Sequence, residues 1–152
     1  MKKNLTFVFL LFIGSSLFAQ AQRTFFVDFG PNDVTNGNIT SSPDKNGIYW
    51  NNLVNVYSSD PEVSLFDYEN NATEISIDIS SNFAKNGILN GGLLEPNEEL
   101  LGELAIPTAT QDYFFTTSNA ELVINNLNPG KGYIFSLFAS RNKLLQLYFF
   151  HY

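Results

Sequence analysis

The sequence predicts an all-β chain, an antiparallel β-sandwich with at most one short helix. Three observations carry this. Residues Thr73–Ser80 alternate strictly, with Ile75, Ile77 and Ile79 on one side and Glu74, Ser76, Asp78 and Ser80 on the other, the pattern of an antiparallel strand with one face buried. Short runs rich in Val, Ile, Phe and Tyr recur between clusters of Asn, Gly, Asp and Pro, as in strands separated by turns. Two such runs, Ala120–Asn126 and Tyr133–Asn142, flank Asn128-Pro129-Gly130-Lys131. That tetrad fits a type II turn closing a hairpin, with Pro129 presetting φ and Gly130 accepting a positive one.

The elements follow in order. Residues 1–21 form an export signal: Lys2 and Lys3 precede an apolar run over Leu5–Phe18, and Ala19-Gln20-Ala21 offers a cleavage site. The apolar run is too short for the roughly 20 residues of a membrane span. Arg23–Gly30 is the first strand, with aromatics on both faces and the carboxylate of Asp28 among them. Asp28 either caps turn amides or offers a hard oxygen to Ca²⁺. Pro31–Gly47 is a loop of turn formers. Ile48–Tyr57 is a strand holding the chain's one tryptophan, Trp50. Glu62–Tyr68 is a short strand or edge, and Thr73–Ser80 the alternating strand. Asn82–Asn97 is loop. Asn97 caps a short helix over Glu98–Leu104, whose early glutamates suit the positive end of the helix dipole, and Pro107 ends it. Tyr113–Thr117 precedes the two runs around the Pro-Gly turn. The tail Lys143–Tyr152 reads as a strand with no closing turn, so a single domain over 22–152, incomplete at its C-terminus, is expected.

Composition narrows the chemistry. The chain has 152 residues, no cysteine and one histidine, His151. Disulfides, thiolate metal sites and cysteine nucleophiles are thereby excluded, and a histidine cage or Ser-His-Asp triad rests on that one residue. Removal of the leader takes Lys2 and Lys3 with it and leaves six basic residues against fifteen acidic, a net charge of −9. Such a surface repels nucleic acid and anionic lipid. Once the signal is cleaved no membrane attachment is expected, and the location is secreted: periplasm, cell surface or medium. Asparagine is abundant, which suits turns and also sugar hydroxyls.

Trp50 beside Asn51 and Asn52 pairs a flat apolar ring with bidentate amides, the chemistry of a sugar platform. The alternative is a core tryptophan whose neighbouring amides lock loops, which is where large aromatics usually go. An enzyme needs a carboxylate pair for acid–base work; Asp28, Asp67, Asp78 and Glu95 are candidates, but no spacing singles out two of them.

Leu127-Asn-Pro-Gly-Lys-Gly-Tyr133 resembles the tyrosine corner of Greek-key sandwiches, which implies a Tyr133 hydroxyl bonded to upstream backbone. Phe-Val-Asp-Phe-Gly (26–30), Tyr-Trp-Asn-Asn-Leu (49–53), Leu-Leu-Gly-Glu-Leu-Ala (100–105) with Thr-Gln-Asp-Tyr-Phe-Phe (110–115), and Phe-Ala-Ser-Arg-Asn (138–142) occur in an order that resembles a secreted module of Bacteroidetes-type cell-surface proteins. Such modules stand ahead of GDSL/SGNH-type hydrolase or sorting domains. The resemblance covers the mature chain to Asn142. It implies a galactose-binding-like jelly roll and a carbohydrate-associated role, with Asp28, Trp50, Asn51, Asn52 and Arg141 at the matching ligand-binding positions. The expected function is therefore non-catalytic glycan binding with no obligatory cofactor, Ca²⁺ being the one candidate. A structural spacer, or the N-terminal part of a larger secreted hydrolase, is the alternative.

Overall fold

The computed structural model describes the backbone of residues 22–141 and 144–151 and the side chains of residues 22–139; the expected export signal lies outside the described residues. The strands are β1 (Phe26–Phe29), β2 (Trp50–Leu53), β3 (Val63–Phe66), β4 (Ala72–Ser81), β5 (Ala84–Asn86), β6 (Tyr113–Phe115), β7 (Glu121–Asn125), β8 (Ile134–Arg141) and β9 (Leu144–His151). Single helical turns, α1 (Glu98–Leu101) and α2 (Pro107–Thr110), lie between β5 and β6. The protein is β-rich, with little helix.

Pairing is antiparallel in three of the four small sheets: β3-β4-β7, β5-β6 and β8-β9. The exception departs from expectation. β1 and β2 run parallel, with Phe26 opposite Trp50 and Asp28 opposite Asn52. Parallel neighbours need a long crossover, and the turn-rich loop of residues 31–47 provides it.

This parallel pair is the middle layer. On one face Phe26 and Trp50 pack with Ile48, Ile106, Leu104 and Ala109, so the helical segment covers that side. On the other face Phe25, Val27, Phe29 and Leu53 pack with Leu65, Ile77, Leu122 and Ile124 of the β3-β4-β7 sheet. Aromatics on both faces of the first strand thus reflect cover on both faces. Leu53, Leu65 and Ile77 are 2–3 % exposed and mark the densest part of the core.

Several local expectations change. Ser76 is buried although it lies on the polar side of β4; its hydroxyl donates to Glu62 Oε2 at 3.1 Å, because β3 and its flank cover that face. Residues 84–86 form β5 within the expected loop. Asn97 does cap α1, accepting from the amides of Glu99 (2.8 Å) and Leu100 (3.2 Å). Pro107 starts a helical turn instead of ending one, as suits a residue whose missing N–H is no loss at the first position. The Asn128–Lys131 turn closes by a bond from Lys131 N to Asn128 O. Gly130 does not take a positive φ, so the turn is not type II; Asn128 Oδ1 accepts from Gly130 N and stabilises it instead. Nor is it a hairpin: β7 pairs with β4 and β8 with β9. The chain changes sheets there. Asn128 N donates to Tyr133 Oη at 2.7 Å, the bond expected of a tyrosine corner at such a crossing.

Candidate functional site

The residues that spell a sugar platform are spent inside the fold. Trp50 is 7 % exposed. Its ring lies against Phe26 with centroids 5.1 Å apart, and its Nε1 donates to Asp44 Oδ2 at 3.0 Å. Asn51 is also buried. Its Nδ2 donates to Phe26 O (3.0 Å) and Phe66 O (2.8 Å), while its Oδ1 accepts from Phe66 N (2.9 Å). One amide therefore stitches β2 to β3 where no ladder joins them. Asn52 Nδ2 donates to Thr40 O and its Oδ1 accepts from Thr40 N, at 2.9 and 2.8 Å. Both amides lock neighbouring backbone. Arg141 occupies the end of β8, opposite Leu144, and its side chain lies outside the described residues.

The unusual chemistry lies one step along β1. Parity puts Asp28 on the face of Phe26, beneath the helical segment. It is 4 % exposed. Oδ2 accepts from Thr40 Oγ1 (2.8 Å) and Thr40 N (3.1 Å), but Oδ1 has no partner. Above it α2 ends and hands on Asp112, 5 % exposed, with neither carboxylate oxygen bonded. Asp112 sits against Gly30 and Gly37, where any Cβ would collide with its carboxylate. The amides of those glycines are directed elsewhere, Gly30 N to Leu53 O and Gly37 N to Asp33 O, so the carboxylate meets backbone without donors.

The electrostatic result follows from burial. Desolvation pushes Asp28 up to about 6 against the lowering bonds of Thr40. Asp112 is pushed up to about 8, first by desolvation and then by the negative charges of Asp28 and Asp33. Two other buried or half-buried carboxylates show the contrast. Burial raises Asp67 and Asp44, but it is outweighed. Asn71 and Glu69 amides hold Asp67 below the usual carboxylate range, and Trp50, Ile48 and Asn46 do the same for Asp44.

Asp28 therefore has a carboxylate companion, and it is not Asp67, Asp78 or Glu95. Asp78 lies half-buried in β4 opposite Val123, and Glu95 lines a small apolar hollow with Leu93, Leu100 and Leu101. Asp112 carried one sequence signal: an acidic residue between a Pro-led helical turn and the Tyr-Phe-Phe strand. Among the described residues no three acidic or histidine side chains converge as a metal cage.

The surface offers a separate concavity. An open cleft of about 360 Å³ is lined by Gln22, Thr24, Phe26, Tyr68 and Glu103. Tyr68 is 38 % exposed, and its hydroxyl donates to Glu69 at 3.0 Å. The cleft combines an amide, hydroxyls and a carboxylate with the exposed ring of Tyr68, over a floor at the buried Phe26. No family model, no curated protein and no solved structure matches the chain.

Proposed function

We propose that this protein is a secreted, non-catalytic binding module that takes carbohydrate in the cleft of Gln22, Thr24, Phe26, Tyr68 and Glu103. The carrying observation is the composition of that cleft. A sugar presents hydroxyls around an apolar ring face, and the cleft presents the polar groups of Gln22, Thr24 and Glu103 around the half-exposed ring of Tyr68. The basic n-region and apolar run of residues 2–18 support export. The covered middle layer and the sheet change at Tyr133 support a jelly-roll sandwich of galactose-binding-like type. Catalysis is not part of the reading: the two carboxylates with the most displaced titration, Asp28 and Asp112, are buried, and neither lines the cleft.

The test is a glycan array followed by affinity electrophoresis. Retention on one polysaccharide, weakened about tenfold or more by Tyr68→Ala with the melting midpoint little changed, supports the cleft. Absence of retention on every polysaccharide rejects it. A spacer role is the second reading, favoured by the β8-β9 hairpin. It pairs with no other described strand and leaves Ile134 and Leu137 63 % and 46 % exposed.

A further inference from the structure

We propose that the buried Asp28–Asp112 pair is a binding site for a hard divalent cation, with Ca²⁺ the best fit. The site is independent of the sugar cleft. Three carboxylate oxygens, Asp28 Oδ1 and both of Asp112, are shut off from solvent with no hydrogen-bond partner. Both side chains are more than nine-tenths buried. Unpartnered buried oxygens on this scale are rare in a folded protein. Two like charges set together in a water-poor site need a counter-charge, and no cationic side chain among the described residues pairs with either.

The surroundings are arranged around those oxygens. Thr40 holds Asp28 Oδ2 through both its hydroxyl and its amide, which fixes the carboxylate and leaves Oδ1 free. Asn52 in turn holds Thr40 through its amide and carbonyl. Gly30 and Gly37 let the Asp112 carboxylate lie directly on the backbone, with no side chain between it and the loop that follows β1. That loop also carries Asp33, whose charge acts on Asp112. Its own oxygen Oδ1 is engaged by the amides of Thr35 and Asn36.

The donor set is oxygen alone, without nitrogen or sulfur, which selects alkaline-earth cations over zinc or copper. Two carboxylates able to bind through one or two oxygens, with water completing the shell, suit the variable six- to eightfold coordination of Ca²⁺ better than the strict octahedron of Mg²⁺. A bound cation joins β1, its following loop and the end of α2 into one unit.

The test uses the full chain at pH 7.5, freed of metal by chelator. Isothermal titration with CaCl₂ is expected to show one site. Millimolar Ca²⁺ is expected to raise the melting midpoint by about 5 °C or more, and Mg²⁺ by less. Asp112→Asn and Asp28→Asn should each abolish the shift, while Asp78→Asn, in β4, keeps it. If neither carboxylate variant folds, the titration of the wild-type chain decides alone. Absence of both heat and shift with Ca²⁺ overturns the proposal, and the pair is then neutralised by a proton. A Ca²⁺ effect that survives both Asp28→Asn and Asp112→Asn overturns it equally. Glycan retention is read separately, so either result leaves the sugar reading standing or falling by itself.

Discussion

A single side-chain amide, that of Asn51, fastens three backbone groups of this fold. Asn51 satisfies the carbonyls of Phe26 and Phe66 and the amide of Phe66 together. Asn51→Ala removes the partner of all three, one buried and two half-buried, and each unsatisfied buried group costs about 1–3 kcal/mol. A loss of about 3 kcal/mol or more in urea unfolding is expected; a loss under 1 kcal/mol would show that water takes over these bonds. Trp50→Phe keeps the packing on Phe26 but drops the bond to Asp44, and should cost about 1–2 kcal/mol. Gly30→Ala drives a methyl into the Asp112 carboxylate and should cost more than either. The sequence around Trp50 shows why site chemistry was only half legible. An aromatic flanked by asparagines has the same letters whether it faces a sugar or a core. What decides is the parity of β1 and β2, and that depends on a parallel register no local pattern announces. Asp112 was hidden for the same reason: its partner lies far away in sequence, across a loop.

At the scale of elements, the strands with a clear period or a run of β-branched and aromatic residues were the readable ones. β4 was marked by its isoleucines, β7 by Leu122-Val123-Ile124. Their partners were not. The Pro-Gly turn between β7 and β8 looks local, so a hairpin was the natural expectation. Yet the two strands belong to different sheets, because β7 is needed beside β4, where Leu122 and Ile124 join the core of Ile77. The Tyr133–Asn128 bond then steadies the crossing. Tyr133→Phe removes that bond while keeping the ring, so stability should fall by about 1 kcal/mol with the denaturant slope unchanged. An unaltered midpoint would mean that the hydroxyl contributes nothing there. Leu53→Ala tests the layer beneath. At 2 % exposure it touches both β1 and the β3-β4-β7 sheet, and a cost of about 2–5 kcal/mol is expected from equilibrium unfolding.

For the whole molecule, the carboxylates divide into two groups with opposite pH signatures. Asp28 and Asp112 have folded values raised above the ordinary 3.8, to about 6 and about 8. Protonation favours the folded state for both. Their contribution is complete below 3.8 and is lost as pH rises through 6 and then 8. Asp44 and Asp67 are lowered; their contribution is present above 3.8 and is lost as pH falls through their folded values. The metal-free protein should therefore be most stable near the ordinary carboxylate value of 3.8, where the lowered pair is already ionised and the raised pair is still protonated. Melting midpoints should decline from there as pH rises toward the Asp112 value of about 8. A profile flat from pH 5 to pH 9 in chelator would contradict the burial of the pair. Asp112→Asn should flatten the alkaline side. None of this balance shows in the net charge, which counts fifteen acidic residues alike.

The loop after β1 reads as the least structured part of the chain, a string of asparagine, serine, glycine and proline. In the fold it is tied down along its length. Thr40 is held by Asp28 and Asn52, Ser42 Oγ bonds both the amide and the carbonyl of Trp50, and Asp44 receives the indole. Thr40 is 1 % exposed. Its amide is held by both Asp28 Oδ2 and Asn52 Oδ1, so it should exchange with deuterium far more slowly than the exposed amides of the same loop. A protease that seeks flexible, glycine-rich loops should find nothing to cut around Thr40. The residue composition that usually marks the first place to break would here mark one of the last.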